Sequence, residues 1–297
     1  MPKINGERGV GLHGADHAGT VRLSIVMPVY NEAPTILRAI ERVLAVNYPC
    51  PTELVVVDDG SSDRSWDVVS SVSDPRLTPI RHRVNRGKGA AVRTGVDAAT
   101  GSHLLVLDAD LEYSPADIPA LLEPVLAGEA DHVFGARVFG MNTRYQSLRF
   151  AVGGRLTTFA ANLLFDSCLS DMHTCLKLVP TQQFRSLRLT ENGFGQDTEL
   201  TARLLRDGVR PYEVPVSYNG RSVEHGKKIT WMDGVHCLRI LAKVRFERRE
   251  QVDLQPAQRG PLTSLRGRRV ETPIPATAIR LHAAEPSMAV LPDEIAV

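Results

Sequence analysis

Aromatic residues make up only 5% of this 297-residue chain, and its four cysteines (Cys50, Cys168, Cys175 and Cys237) lie far apart with no C-x-x-C pair. That spacing indicates neither a structural zinc site nor a disulfide framework, and it fits a reducing, cytoplasmic setting. Charge of one sign is also missing. Lys and Arg number 35 against 34 Asp and Glu, a net +1 that argues against general nucleic-acid binding. No window approaches the ~20 apolar residues needed to cross a bilayer. The greasiest stretch, Phe150 to Leu169, is interrupted by Gly153, Gly154, Arg155, Asn162 and Asp166. Residues 1–20 lack the apolar core of a secretory signal and read as a flexible arm. Residues 248–297 hold six of the 19 prolines and no aromatic residue. They carry too little apolar surface to offset ordering entropy, so they read as a mostly disordered tail. The remainder, 21–247, is long enough to build a large core without staples.

Within that remainder, apolar runs, polar loops and amphipathic stretches repeat between about residues 22 and 136, which predicts an α/β architecture with a parallel sheet wrapped by helices. Strands are expected at Leu23–Val29, Glu53–Val57, Leu77–Ile80 and His103–Leu107. Helices are expected around Ile36–Leu44 and Ala90–Ala99, with another opened by Ser114 as N-cap and Pro115 in the first turn. Further on, Leu148, Val152, Leu156, Phe159 and Leu163 form one apolar stripe on a helix from about Gln146 to Phe165, either a core face or a lipid-facing surface. A strand over Thr174–Val179, a helix over Gln196–Arg206, an extended Val209–Ser217 and a helix from Thr230 to about Arg248 complete the pattern.

The chemistry-bearing residues sit where strands end. Asp108-Ala109-Asp110 places two carboxylates one residue apart, suited to Mg²⁺ or Mn²⁺, although Asp also ends strands as a solvated turn. A second acidic loop, Asp58-Asp59-Gly60-Ser61, ends another strand. Asn85-Arg86-Gly87-Lys88-Gly89 offers backbone amides, a helix N-terminus and two cations to a diphosphate, or is simply a glycine-rich turn. Neither a Walker loop nor a G-x-G-x-x-G fingerprint is present, which counts against NTPase and dehydrogenase chemistry. His173 and His225 lack a second ligand at metal spacing and read as ordinary hydrogen-bonding histidines. Asp197 and Glu199 near a helix start can serve the macrodipole alone.

Met27-Pro28-Val29-Tyr30-Asn31-Glu32, Val56-Val57-Asp58-Asp59-Gly60-Ser61-Ser62-Asp63, Asn85-Arg86-Gly87-Lys88-Gly89 and Asp108-Ala109-Asp110, in this order, resemble the family 2 inverting glycosyltransferases. The resemblance covers about residues 22–246 and implies the A-type glycosyltransferase fold, with 21–247 as the catalytic domain. Asp171 to Lys177, Gly193 to Glu199, and Gly220-Arg221-Ser222 through Trp231 are similar to the dolichol-phosphate mannosyltransferase branch. The resemblance implies that Pro28, Tyr30, Glu32 and Asp59 hold the nucleoside, that Lys88 supports the donor, and that Asp108 and Asp110 bind the metal with Glu112 as third ligand. It places Arg137 near the donor and acceptor phosphates. Arg221, Lys227 and Lys228 fall in a segment that closes over the donor diphosphate.

The implied reaction is direct displacement at an anomeric carbon, moving a hexose, with GDP-mannose the expected donor, to a polyprenyl phosphate. Arg137 and Lys177 are the candidates for the acceptor phosphate, although a lysine in a short strand can also be a solvated edge residue. An ionised phosphate acceptor needs positioning rather than a base, whereas a hydroxyl acceptor would need one, with Asp197 the candidate. The rival readings are transfer from a UDP-sugar to a glycan or lipid hydroxyl, and a non-catalytic sugar-nucleotide-binding protein. The apolar stripe, with Arg144, Arg149 and Arg155 nearby and Lys243, Arg245, Arg248 and Arg249 closing the last helix, suits peripheral attachment to an anionic membrane surface.

Overall fold

The computed structural model describes residues 21–138, 142–145, 148–221 and 231–247. The expected arm and tail, Lys227, Lys228, and the Gln146 start of the striped helix lie outside the described residues.

Strands β1 (Leu23–Val29), β2 (Thr52–Asp58), β3 (Leu77–Arg81) and β4 (His103–Val106) alternate with helices α1 (Ile36–Leu44), α2 (Ser65–Ser71) and α3 (Lys88–Ala98). After β4 come α4 (Ile118–Leu126), β5 (Val133–Ala136), β6 (Thr143–Arg144), α5 (Leu148–Phe165), β7 (Lys177–Pro180), α6 (Thr181–Ser186), α7 (Gly195–Arg206), β8 (Tyr212–Pro215), β9 (Tyr218–Asn219) and α8 (Trp231–Phe246). Among the described residues, seven strands form one sheet in the order β3-β2-β1-β4-β7-β5-β8, and β6 pairs with β9. The sheet is parallel except at β7, which runs antiparallel to both β4 and β5.

The strand interiors are apolar because both faces are covered. Ile25 and Met27 point into a cluster with Ile36 and Ile40 of α1 and Leu121 and Leu122 of α4. Val26 points the other way, into a cluster with Val92 of α3, Leu200 of α7 and Leu241 of α8. The strand order reverses between β1 and β4, the kind of crevice in which open α/β sheets bind ligands. Pro28 helps open it. Even-numbered residues of β1 bond toward β4, as shown by the His103 N–H to Arg22 carbonyl and Leu107 N–H to Val26 carbonyl bonds. Position 28 is next in that series, and proline has no N–H to extend it, so the ladder stops just before Asp108.

Some local expectations need correction. Ser114 takes the N-cap position of a 3₁₀ turn over Pro115–Asp117 that runs into α4, but its side chain makes no capping bond: its Oγ accepts from Arg42 at 3.3 Å. The extended stretch 209–217 contributes only β8, and the strand expected from Thr174 begins at Lys177. The striped helix is turned outward: Leu148, Val152, Leu156, Phe159 and Leu163 are 45–79% exposed. Its inward face is mixed: Ala161 and Phe165 join the buried cluster, beside polar Thr157, Thr158 and Asn162. Thr157 Oγ1 lies 2.6 Å from His173 Nε2, Thr158 Oγ1 accepts from the Met172 N–H, and Asn162 bonds Ser167 and Leu169. Those hydrogen bonds and the packing of Ala161 and Phe165, rather than the apolar stripe, face the rest of the fold.

Candidate active site

The loop after β1 is fastened to the loop after β2. Asn31, in the left-handed conformation at φ 55°, donates its N–H to Ser61 Oγ and accepts from the Ser62 N–H. The Glu32 N–H reaches Ser65 Oγ, and the Ala33 N–H reaches Asp63. This zipper leaves Tyr30 38% exposed at the crevice rim and directs Glu32 inward. There Glu32 meets Arg221, 3.2 Å from its guanidinium.

Arg221 is the hub of the acidic side. The same guanidinium lies 3.1 Å from Asp110 Oδ2, and its backbone N–H donates to Glu112 Oε1 at 2.7 Å. The other Glu112 oxygen accepts from the Tyr218 hydroxyl. Burial, then Asp108 and Glu112, push the Asp110 carboxyl up to about 7. Asp110 is therefore short of positive charge even with Arg221 beside it. A crowded carboxylate pair of this kind fits a hard divalent cation, with Asp108 and Asp110 as its holders. Glu112 is otherwise engaged. Among the described residues no three acidic, His or Cys side chains gather as one cation cluster.

A second charged group lies on the other side of Asp108. Lys88 Nζ sits 2.8 Å from Asp108 and 3.3 Å from Asp197, and the Cys175 thiol donates to the same Asp108 oxygen. Burial opposes the Lys88 charge, but Asp108 and Asp197 outweigh it and hold its pKa well above the usual range. Lys177 is not an edge residue. It is 2% exposed, on a strand between two others, and its ammonium donates to the Asp197 carbonyl and lies 3.8 Å from its carboxylate. Burial would raise the Asp197 pKa, yet Lys88 and Lys177 together bring it below the ordinary value. A carboxylate held ionised between two lysines is a poor proton acceptor.

The glycine-rich loop does not present its amides to a ligand as expected. The N–H groups of Arg86 and Gly87 both donate to Asp59, and that of Gly89 donates to the Asn192 carbonyl. Gly87 adopts φ 94°, and a Cβ there would collide with the Asn192 carbonyl, so only glycine lets these segments meet. Asp59 also bonds His82 Nδ1 at 2.6 Å and is 2% exposed. The structure thus assigns Asp59 to anchoring the Lys88 loop. Arg137 forms a two-pronged pair with Asp171, at 2.5 and 2.8 Å, and its guanidinium carbon lies 4.9 Å from the Tyr218 ring centre. Two of its nitrogens are committed to Asp171, and the Nη1 donors have no bond to it.

The fold thus brings Glu32, Asp108, Asp110, Glu112, Arg221, Lys88, Lys177 and Asp197 to one strand edge, with Arg137 attached through Tyr218. Asp171, Cys175, His82 and Tyr218 received no role from their sequence positions. Their partners stand 34, 67, 23 and 106 residues away, and no local pattern signals such pairs.

Residues 24–176 match the family model described as glycosyl transferase family 2. The chain belongs to that family, and its fold is the A-type glycosyltransferase fold. It is 28% identical over 249 residues to a polyprenol monophosphomannose synthase of Mycolicibacterium smegmatis, covering 80% of this chain and 91% of that protein. It is also 28% identical over 198 residues to the glycosyltransferase AglJ of Haloferax volcanii, covering 66% of this chain and 63% of the relative's length. Among solved structures, a Mycobacterium tuberculosis glucosyl-3-phosphoglycerate synthase in complex with Mn²⁺, UDP and phosphoglyceric acid superposes with a TM-score of 0.57 at 20% identity, covering 78% of this chain and 81% of that one. At that identity the likeness concerns the fold alone.

Proposed function

We propose that residues 21–247 form the catalytic domain of an inverting glycosyltransferase that moves a hexose from a nucleotide sugar, GDP-mannose as the specific expectation, to a polyprenyl phosphate. The observation that carries the choice of acceptor is the state of Asp197. Locked between Lys88 and Lys177, it is unsuited to deprotonating a hydroxyl. A phosphate acceptor needs no such base, and the polyprenol-linked name of the mycobacterial relative points the same way.

In this reading Tyr30 and Pro28 flank the nucleoside and Glu32 receives its polar groups. Asp108 and Asp110 hold Mg²⁺ or Mn²⁺, which when bound supplies charge to offset the departing diphosphate. Arg221 leaves its acidic partners for the diphosphate, aided by Lys227 and Lys228. Arg137, steadied by Asp171, directs its remaining donors at the acceptor phosphate. The acceptor oxygen attacks the anomeric carbon as the carbon–oxygen bond to the nucleoside diphosphate breaks on the opposite face. Fixed cations that meet developing charge lower such a barrier by several kcal/mol.

The outward stripe of α5 supports attachment to a membrane surface. Met232, Leu238 and Phe246 of the neighbouring α8 are also exposed, and Arg155, Arg239 and Arg245 are exposed on the same two helices. Among the described residues no helix is long and apolar enough to span a bilayer.

The test incubates purified protein with labelled GDP-mannose or UDP-glucose, Mg²⁺ or Mn²⁺, and either polyprenyl phosphate or the matching polyprenol. Product from GDP-mannose and the phosphate alone is expected. Product from the alcohol but none from the phosphate would overturn the acceptor assignment, and product from UDP-glucose alone would overturn the donor.

A further inference from the structure

A cavity of about 300 Å³ opens between α3 and α6, lined by four arginines, Arg86, Arg93, Arg185 and Arg188, together with Thr94 and Asp97. None of the residues assigned above to the donor, the metal or the acceptor lines it. The Asn85–Gly89 loop thus divides its two cations: Lys88 turns to Asp108, while Arg86 serves this separate cavity.

Two of the arginines are fixed by neutral partners. Arg185 donates to the carbonyls of Val96 and Ala99 at 2.7 and 2.8 Å, at the C-terminal end of α3. Arg93 donates to the Glu191 carbonyl at 2.7 Å and to the Asn192 side-chain oxygen. Carbonyls orient a guanidinium without neutralising it. Arg86 and Arg188 have no side-chain hydrogen bond or ion pair among the described residues. The Arg188 N–H bonds the Arg185 carbonyl, closing the turn that sets these two arginines side by side. Four arginines therefore line one small cavity with a single acidic residue, Asp97. An anion offsets such an excess of positive charge, and arginine forks match the paired oxygens of a phosphate.

We propose that this cavity is a binding site for a compact multivalent oxyanion with phosphate or diphosphate chemistry, distinct from the donor site. It does not depend on the glycosyltransferase reading. Its floor also touches the donor loop's anchor, since Thr94 Oγ1 lies 2.9 Å from His82 Nε2 and His82 holds Asp59. The phosphate group can arrive free in solution or on a phosphomonoester lipid headgroup.

The test uses the full chain without divalent metal, titrated with inorganic diphosphate and followed by backbone amide NMR. Saturable shifts are expected over residues 86–97 and 184–189, with binding weakened at least tenfold in Arg188→Glu. Arg188 is exposed and sits at φ 48°. Arg188→Asn suits that backbone conformation and serves as a second variant, with a smaller expected loss, should the glutamate misfold. In a parallel arm, vesicles containing phosphatidic acid replace diphosphate, with phosphatidylglycerol vesicles as the diester control. Arg188-dependent binding to phosphatidic acid alone would identify the lipid headgroup as the source of the phosphate. Shifts confined to Asp108–Glu112 and Arg221, or binding by both probes that is indifferent to Arg188, would overturn the proposal.

Discussion

At the scale of single residues, charge is balanced by partners that come from distant parts of the chain. Lys177 shows the energetics. Its ammonium is buried and faces Asp197, and Lys88 remains 3.3 Å from that carboxylate when Lys177 is removed, so Lys177→Met should cost about 1–3 kcal/mol by urea unfolding. Lys177→Met combined with Asp197→Asn should recover part of that loss, whereas an edge lysine would cost almost nothing. His173 gives a pH signature. Burial lowers its pKa to about 4 against an ordinary 6.5, and its neutral ring pairs with Thr157. Between those values the unfolded chain binds the extra proton, so this group's contribution to stability falls as pH drops from 6.5 toward 4 and is intact above 6.5. Loss on the order of 2–3 kcal/mol is expected across that window. The difference in unfolding free energy between the native chain and His173→Gln should change by about 2 kcal/mol in favour of the variant between pH 7 and pH 4.5, which cancels the groups common to both. Asp59 marks where residue-level reading stopped. Its type and position at a strand end were visible, but not that its oxygens are spent on His82 and two loop amides.

At the scale of elements, the strands and helices up to α4, apart from the seven-residue α2, were legible because buried parallel strands are nearly all apolar and their helices carry one apolar face. The same periodicity found α5 and then left its orientation open, since a stripe says which residues share a face and not what covers it. The inward face is instead the one bearing the polar contacts of Thr157, Thr158 and Asn162, with partners up to 16 residues away, and the buried Ala161 and Phe165. β7 was visible as an apolar run, yet its antiparallel insertion between β4 and β5 was not, because direction is a property of the neighbours. The exposure of α5 makes a direct prediction. Leu156→Glu with Phe159→Glu removes two exposed apolar side chains and adds two negative charges, without touching a buried group. Thermal stability should stay within about 2 °C, while binding to anionic liposomes, followed by sedimentation at low salt, should fall at least tenfold. Unchanged sedimentation would remove α5 from the membrane contact.

At the scale of the whole molecule, the carboxylate crevice and the apolar helix pair are built by different elements. The first comes from the β1–β4 region, with Arg221, Lys177 and Asp197 added later in the chain. The second comes from α5 and α8, which pack against each other and, through buried residues such as Ile240 and Leu241, against α7. This separation lets chemistry and membrane attachment be tested apart. With a long-chain polyprenyl phosphate in anionic vesicles, transfer should decline as salt rises, since screening weakens attraction between exposed arginines and headgroups. The Leu156→Glu/Phe159→Glu protein should lose most of that activity. With a short-chain polyprenyl phosphate free in solution, the same variant should work within about twofold of the native chain, because Asp108, Asp110, Arg137 and Arg221 are untouched. An Asp110→Asn protein should fail with both acceptors by orders of magnitude, as removal of transition-state charge stabilisation does. Equal loss of both activities in the α5 variant would mean that α5 shapes the reacting crevice itself, and the assignment of that helix to the lipid surface would fall.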